Sequence, residues 1–156
     1  YRAGANNLFD ENDQPTTAAR TARDRGVLFD IGHGSGSFQY ERARSAVAAG
    51  FMADSISTDL HVANIDGPVH DMPTTMAKML ALGVPLLEVI QRSTWEPAGV
   101  IGLQDQVGSL QVGREADIAV LRHREREVIF TDSMGTEWTG HHELTAEHTI
   151  RAGEIL

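Results

Sequence analysis

The 156-residue chain has no cysteine and a single lysine, Lys78. Without thiols it forms neither disulfides nor thiolate metal sites, which fits a reducing compartment such as the cytoplasm. No apolar run is as long as a membrane span, so no transmembrane helix and no membrane partner are expected. Positive charge is scarce. A formal net charge of -9, with no run of Lys and Arg, argues against nucleic acid, whose phosphates would be repelled. The opening YRAGANNLFDENDQPTT has neither a basic n-region nor an apolar h-region, so it is no secretory signal. A start without Met in a polar Gly/Asn loop reads instead as the continuation of something longer. What remains is an ordinary globular composition, 41% hydrophobic and 22% charged, enough for one domain with a real core.

Residues 1–16 read as a polar loop. TTAARTARDRG has helical spacing and stops at Gly26. VLFDI (27–31) suits a buried strand, FQYERARSAVAAGF a helix with Ala43, Ala46 and Val47 on one face, and DSISTDLHV (54–62) a second strand. That order is one βαβ unit and predicts parallel strands. MPTTMAKMLALGV and PLLEVIQRST follow as amphipathic helices with proline near each first turn, and EPAGVIGL as one more helical turn. Beyond residue 103 the character changes to glycine turns and β-branched residues, then short strands around a turn at Asp132-Ser133-Met134-Gly135. The boundary predicted near 103 divides α/β material (1–103) from a small β element (104–156).

The loop FDIGHGSGSF sets His33 among glycines between a strand and a helix, where backbone N–H groups could bind an anion. Three familiar motifs fail there. The dinucleotide fingerprint needs glycine where Ser37 stands, the phosphate loop needs Gly-Lys-Ser/Thr, and the nucleophile elbow needs serine where Gly34 lies. What is left is His33 at the carboxyl end of one parallel strand, with Asp59 and His61 at the carboxyl end of the next. Active sites form on that rim, and a carboxylate with imidazoles there suits zinc or a related ion. Spacing alone leaves the plainer readings open: a turn histidine, a strand-end carboxylate, a solvated His61.

Together VLFDIGHGSGSFQYERARSAVAAGF, SISTDLH, MAKMLALGVPLLEVIQRSTWEPAGVIG and GSLQVGREADIAVL resemble the C-terminal part of the amidohydrolase superfamily. They are most similar to its dihydroorotase-like amidohydrolase/deacetylase branch, from about the first residue to near 121. GSLQVGREADIAVL is common to many members, whereas DIGHGSGSF with STDLH is narrower. The resemblance implies an α/β fold, the last two βα units of a (β/α)8 TIM barrel, followed by part of a small C-terminal β-sandwich. It implies one or two divalent ions, zinc by expectation. Asp59 then matches the eighth-strand aspartate that touches the metal and carries the proton of the attacking water. His33, Gly34, Ser35 and Gly36 match a seventh-strand loop lining the substrate pocket, and His61 the pocket wall or a place behind the metal.

This sequence departs from the family pattern in what it lacks. No H-x-H occurs, and Lys78 lies on a late helix rather than at the place of the mid-barrel lysine. The remaining metal-binding histidines would precede Tyr1. A whole barrel takes about 250 residues, so the expectation is a C-terminal portion of a hydrolase acting on a small acylated substrate, such as an N-acetyl amino acid or acetoxy acid. The chain alone is then inactive, with a homo-oligomer left open. The competing reading is a non-enzymatic binding or interaction module assembled from a barrel fragment.

Other candidates have plainer readings. His141 and His142 are adjacent and would point to opposite faces of a strand. His70 sits in a loop that could close over substrate or do nothing. Trp95 and Glu96-Pro97 suit packing. Met72, Met76 and Met79 form a core stripe, and RHREREV a solvated strand edge.

Overall fold

The computed structural model describes residues 7–156; the first six residues of the expected polar opening lie outside the described residues. The helices form where capping and periodicity place them. Helix α1 (Thr17–Asp24) starts at Thr16, whose hydroxyl accepts from the Ala19 amide, and α2 (Tyr40–Ala48) buries Ala43 and Ala46. Helix α3 (Met72–Ala81) is capped by Asp71, which accepts from the Thr74 amide at 2.6 Å, with proline in the first turn. This is the satisfied N-terminus that such a sequence favours. Helices α4 (Leu86–Ser93) and α5 (Trp95–Val100) follow.

The segments at 27–31 and 54–58 run parallel. A bridge joins Asp30 to Ser55, and the amides of Ile31, His33 and Gly34 donate to the carbonyls of Ser55, Ser57 and Thr58. The other edge of the second segment meets α4, where the Ile56 amide donates to the Arg92 carbonyl. The expected strands at 27–31 and 54–62 are reduced to this one bridge and the amide bonds around it. Pairing ends at Thr58 because Asp59 takes a left-handed φ of 48°, which turns the chain out of the ladder.

The C-terminal part corrects the expectation of short strands. β1 (Ile118–Thr131) and β2 (Glu137–Arg151) form one long antiparallel hairpin, and β3 (Glu154–Ile155) completes a three-stranded sheet in the order β1-β2-β3. The turn falls where Asp132–Gly135 was predicted: the Asp132 carboxylate accepts from the amides of Met134 and Thr136. RHREREV lies on β1, an edge strand, with its charges exposed and paired across to β2 through Arg122–Glu147 and Arg126–Glu143. Two shifts of register interrupt the pairing, one just before this stretch and one within it. Extended, two-register polar strands carry no clear alternation, which is why the sequence suggested shorter pieces.

One apolar cluster crosses the residue-103 boundary. Ile31, Phe38, Ala43, Met76 and Met79 pack with Phe130, Trp138 and Leu144 of the hairpin, and Met72 lies against the same cluster half-buried. A smaller cluster joins Phe9, Ala19, Ala46 and Phe51, with the Arg23 guanidinium 3.8 Å above the Phe51 ring.

Candidate active site

The carboxyl ends of the paired segments form a rim held together by Asp30. Its carboxylate accepts from the Gly32 amide at 2.8 Å, from the Ser55 hydroxyl at 2.6 Å and from the Ser57 hydroxyl. Sequence reasoning missed Asp30, although an acidic residue inside an apolar run was a signal that something nearby donates to it.

Asp59 follows directly on this rim and is exposed. Its carboxylate rests on Gly34, where a Cβ would come within 2.5 Å of Oδ2. Gly34 also has φ 52°, so both space and backbone conformation call for glycine there. Behind Asp59 stands Asn64, fully buried. It donates to the Asp59 carbonyl at 2.9 Å and accepts from the His61 amide at 2.8 Å. His61 Nδ1 accepts from the Ala63 amide, which leaves Nε2–H to donate to Ser35 Oγ at 3.0 Å. Asp59, Gly34, Ser35 and His61 are thus gathered in one place. Gly36 is near them in the chain, but a Cβ there would meet open space.

His33 is placed differently from a side chain that touches substrate. It is 0% exposed, stacked on Phe38 with ring centroids 4.7 Å apart. Nδ1 lies 3.0 Å from the Gly34 carbonyl and Nε2 lies 2.8 Å from Lys78 Nζ. Burial first, then the neighbouring Lys78 charge, lowers its pKa from 6.5 to about 4, so the ring is neutral at pH 7. Lys78 is itself buried, and burial lowers its pKa to about 8 while Asp132 opposes the shift. It therefore stays a cation at neutral pH.

A catalytic divalent ion takes about three protein ligands. Asp59 fits as one, being an open carboxylate on a rim with no hydrogen-bond partner to its carboxylate among the described residues. No group of three His, Cys, Asp or Glu that could hold an ion occurs among the described residues, so the others would come from elsewhere. A cleft of about 250 Å³ between α3 and the hairpin is lined by His70, Asp71, Thr74, Lys78 and Glu143 among others. It does not include Asp59 or His61, and His70 sits at it with an exposed ring. The other histidine candidates are on the sheet: His141 is exposed, while His142 lies 3.0 Å from His123 across the strands. No helix of the described residues is long and apolar enough to cross a membrane.

The similarity to known proteins covers this whole arrangement. A family model described as the amidohydrolase family matches residues 16–142. The chain is 36% identical to a deacetylase of Enterococcus faecalis over 157 residues, covering 99% of this chain and 42% of that protein. It is 39% identical to a deacetylase of Agrobacterium fabrum over 128 residues, covering 82% and 31%. The chain therefore spans less than half the length of the curated relatives it matches. Among solved structures, an adenine deaminase superposes with a TM-score of 0.95 at 35% identity, over 100% of this chain and 43% of that one. A dihydroorotase superposes with a TM-score of 0.80 at 33% identity, over 90% and 38%.

Proposed function

Because the chain belongs to the amidohydrolase family, we propose that it is the carboxyl-terminal share of a metal-dependent hydrolase that cleaves an acyl ester or amide. The observation that carries this reading is the Asp59 carboxylate, open on the rim of the paired parallel segments and braced by Gly34 and Asn64. The paired segments would be the last two strands of a (β/α)8 barrel, and the hairpin sheet would belong to a small β-sandwich. Two solved chains more than twice as long that superpose on this one support that placement.

One or two divalent ions, zinc by our reading, would take Asp59 as a ligand from this chain; when bound there, such an ion lowers the pKa of water to about 7 and polarises a carbonyl. Asp59 then has the chemistry of a general base. It accepts the proton of the attacking water at a carboxylate oxygen and delivers it to the leaving amine or alkoxide. Ser35 and His61, joined to each other beside it, offer hydroxyl and imidazole groups to the substrate, while Gly34 and Gly36 keep the loop thin enough for a small acyl group to approach. His33 supports this loop from inside.

The relatives carry three different names, deacetylase, adenine deaminase and dihydroorotase, and the substrate is proposed from the deacetylases, the name that three curated relatives share. The full-length protein, loaded with zinc, is expected to release acetate from N-acetyl amino acids or α-acetoxy acids. Release of ammonia from adenine without acetate release would move the reading to a deaminase. The 156-residue chain alone is expected to show neither.

A further inference from the structure

The most deeply buried charged group among the described residues is Lys78, 1% exposed in the middle of α3. Buried lysines are rare unless paired, yet no carboxylate forms a salt bridge with this one among the described residues. Its ammonium has three N–H donors and meets three acceptors: His33 Nε2 at 2.8 Å, the Pro68 carbonyl at 2.6 Å and the Thr131 carbonyl at 2.8 Å. Each acceptor comes from a different segment. One is the loop after the first parallel segment, one the loop after Asp59, and one the end of β1.

We propose that Lys78 is a positioning residue for the active site, acting through His33 and Gly34 on the Asp59 carboxylate; this rests on the role given to Asp59 above. The first link fixes a tautomer. An ammonium can only donate, so His33 Nε2 accepts and the ring proton sits on Nδ1, where it donates to the Gly34 carbonyl. The Phe38 stack holds the ring plane. The second link is Gly34, pinned by its carbonyl to His33 and by its amide to the Thr58 carbonyl at 3.0 Å. The third is contact, since the Asp59 carboxylate lies on Gly34 with no room for a methyl group between them.

A second arm reaches Asp59 from behind. Pro68, which accepts from Lys78, directly precedes Val69 and His70, whose amides donate to the Asn64 carbonyl, and the Asn64 side chain donates to the Asp59 carbonyl. The third arm ties the first of these loops to the hairpin. Thr131 precedes Asp132 and Ser133, whose side chains accept from the amides of Tyr40 and Phe38. A cation in salt-bridge contact with no carboxylate among the described residues, saturated by three segments of which two lead to one reactive group, has the geometry of a brace for that group. Neutral His33 and charged Lys78 at pH 7 are the protonation states the brace requires.

The test uses the full-length, metal-loaded protein with ¹⁵N-labelled histidine. In the wild type, side-chain ¹H–¹⁵N correlation spectra are expected to show His33 as the neutral Nδ1–H tautomer at pH 7. An Nε2–H tautomer or an imidazolium overturns the proposal, and this reading needs no variant to fold. In Lys78→Met the tautomer is expected to mix or invert, with kcat for acyl hydrolysis down roughly 10- to 100-fold and KM within about threefold. A folded Lys78→Met with unchanged tautomer and unchanged kcat overturns it as well. Should the wild type show the Nδ1–H tautomer but hydrolyse no acyl substrate, the hydrolase reading fails while the linkage from Lys78 to Gly34 stands.

Discussion

Two groups of polar residues adjoin in space at Gly34 and are built in opposite ways. The side-chain N–H groups of Lys78 and His33 all have acceptors, both side chains are enclosed, and the partners of Lys78 come from three segments. Around Asp59 the carboxylate is open, the backbone is turned by a left-handed φ, and the support comes from beneath, through Gly34 and Asn64. Groups that hold a fold together gain by being saturated and dry, because an unmet buried donor costs about 1–3 kcal/mol. A group that must take and give a proton gains nothing from saturation. The two arrangements meet at Gly34, where the interior network ends and the rim begins.

The comparison can be broken most severely from the inside. Lys78→Met leaves one buried and two half-buried acceptors without their donor, and unfolding by urea should show a loss of about 3 kcal/mol; a loss under about 0.5 kcal/mol would mean the network is not saturated as described. The next effect is in pH. His33 is held at about 4 by burial and then by Lys78, so the unfolded chain takes up a proton below about 6.5 while the folded one does not. The histidine's contribution is whole above pH 6.5, falls between 6.5 and 4, and is gone below. The stability gap between wild type and His33→Asn should therefore narrow on going from pH 7 to 4.5, by at most on the order of 3 kcal/mol. Carboxylates titrate in both proteins and cancel in the difference.

Gly34→Ala touches the junction of the two regions. The left-handed backbone costs about 1–2 kcal/mol, and the new methyl group displaces the Asp59 carboxylate, so turnover should fall about tenfold even in the folded protein. Equal turnover in Gly34→Ala would separate Asp59 from its support. The smallest effect is expected at His141, exposed on β2: His141→Ala should shift stability by less than about 0.5 kcal/mol and leave turnover unaltered.

The difference between the regions also explains which of them the sequence discloses. The rim is local. STDLH places Asp59 beside His61, the glycines of FDIGHGSGSF mark the facing loop, and helices α1, α2, α3 and α4 stand where the spacing puts them. The interior network joins residues far apart in the chain, Lys78 to His33 and to Thr131, and no short motif contains it. One signal was present. Lys78 sits in MPTTMAKMLA, a helix buried nearly all round, with Thr74, Thr75, Ala81 and Leu82 where an acidic partner would stand at three or four residues. A lone lysine so placed had to find its acceptors in another segment. The hairpin length was hidden for a related reason: exposed, charge-paired strands with shifted register do not alternate, so 14 and 15 residues of strand looked like shorter pieces.

The most direct measurement is the rate of acyl hydrolysis by Asp59→Asn in the full-length, zinc-loaded protein, taken with its urea unfolding curve. Asparagine keeps the shape on Gly34 and removes the base. Turnover should drop by roughly 10²- to 10⁴-fold, with stability within about 0.5 kcal/mol of wild type. Near-native turnover in the folded variant would contradict the account, because the open carboxylate would then carry no step of the reaction.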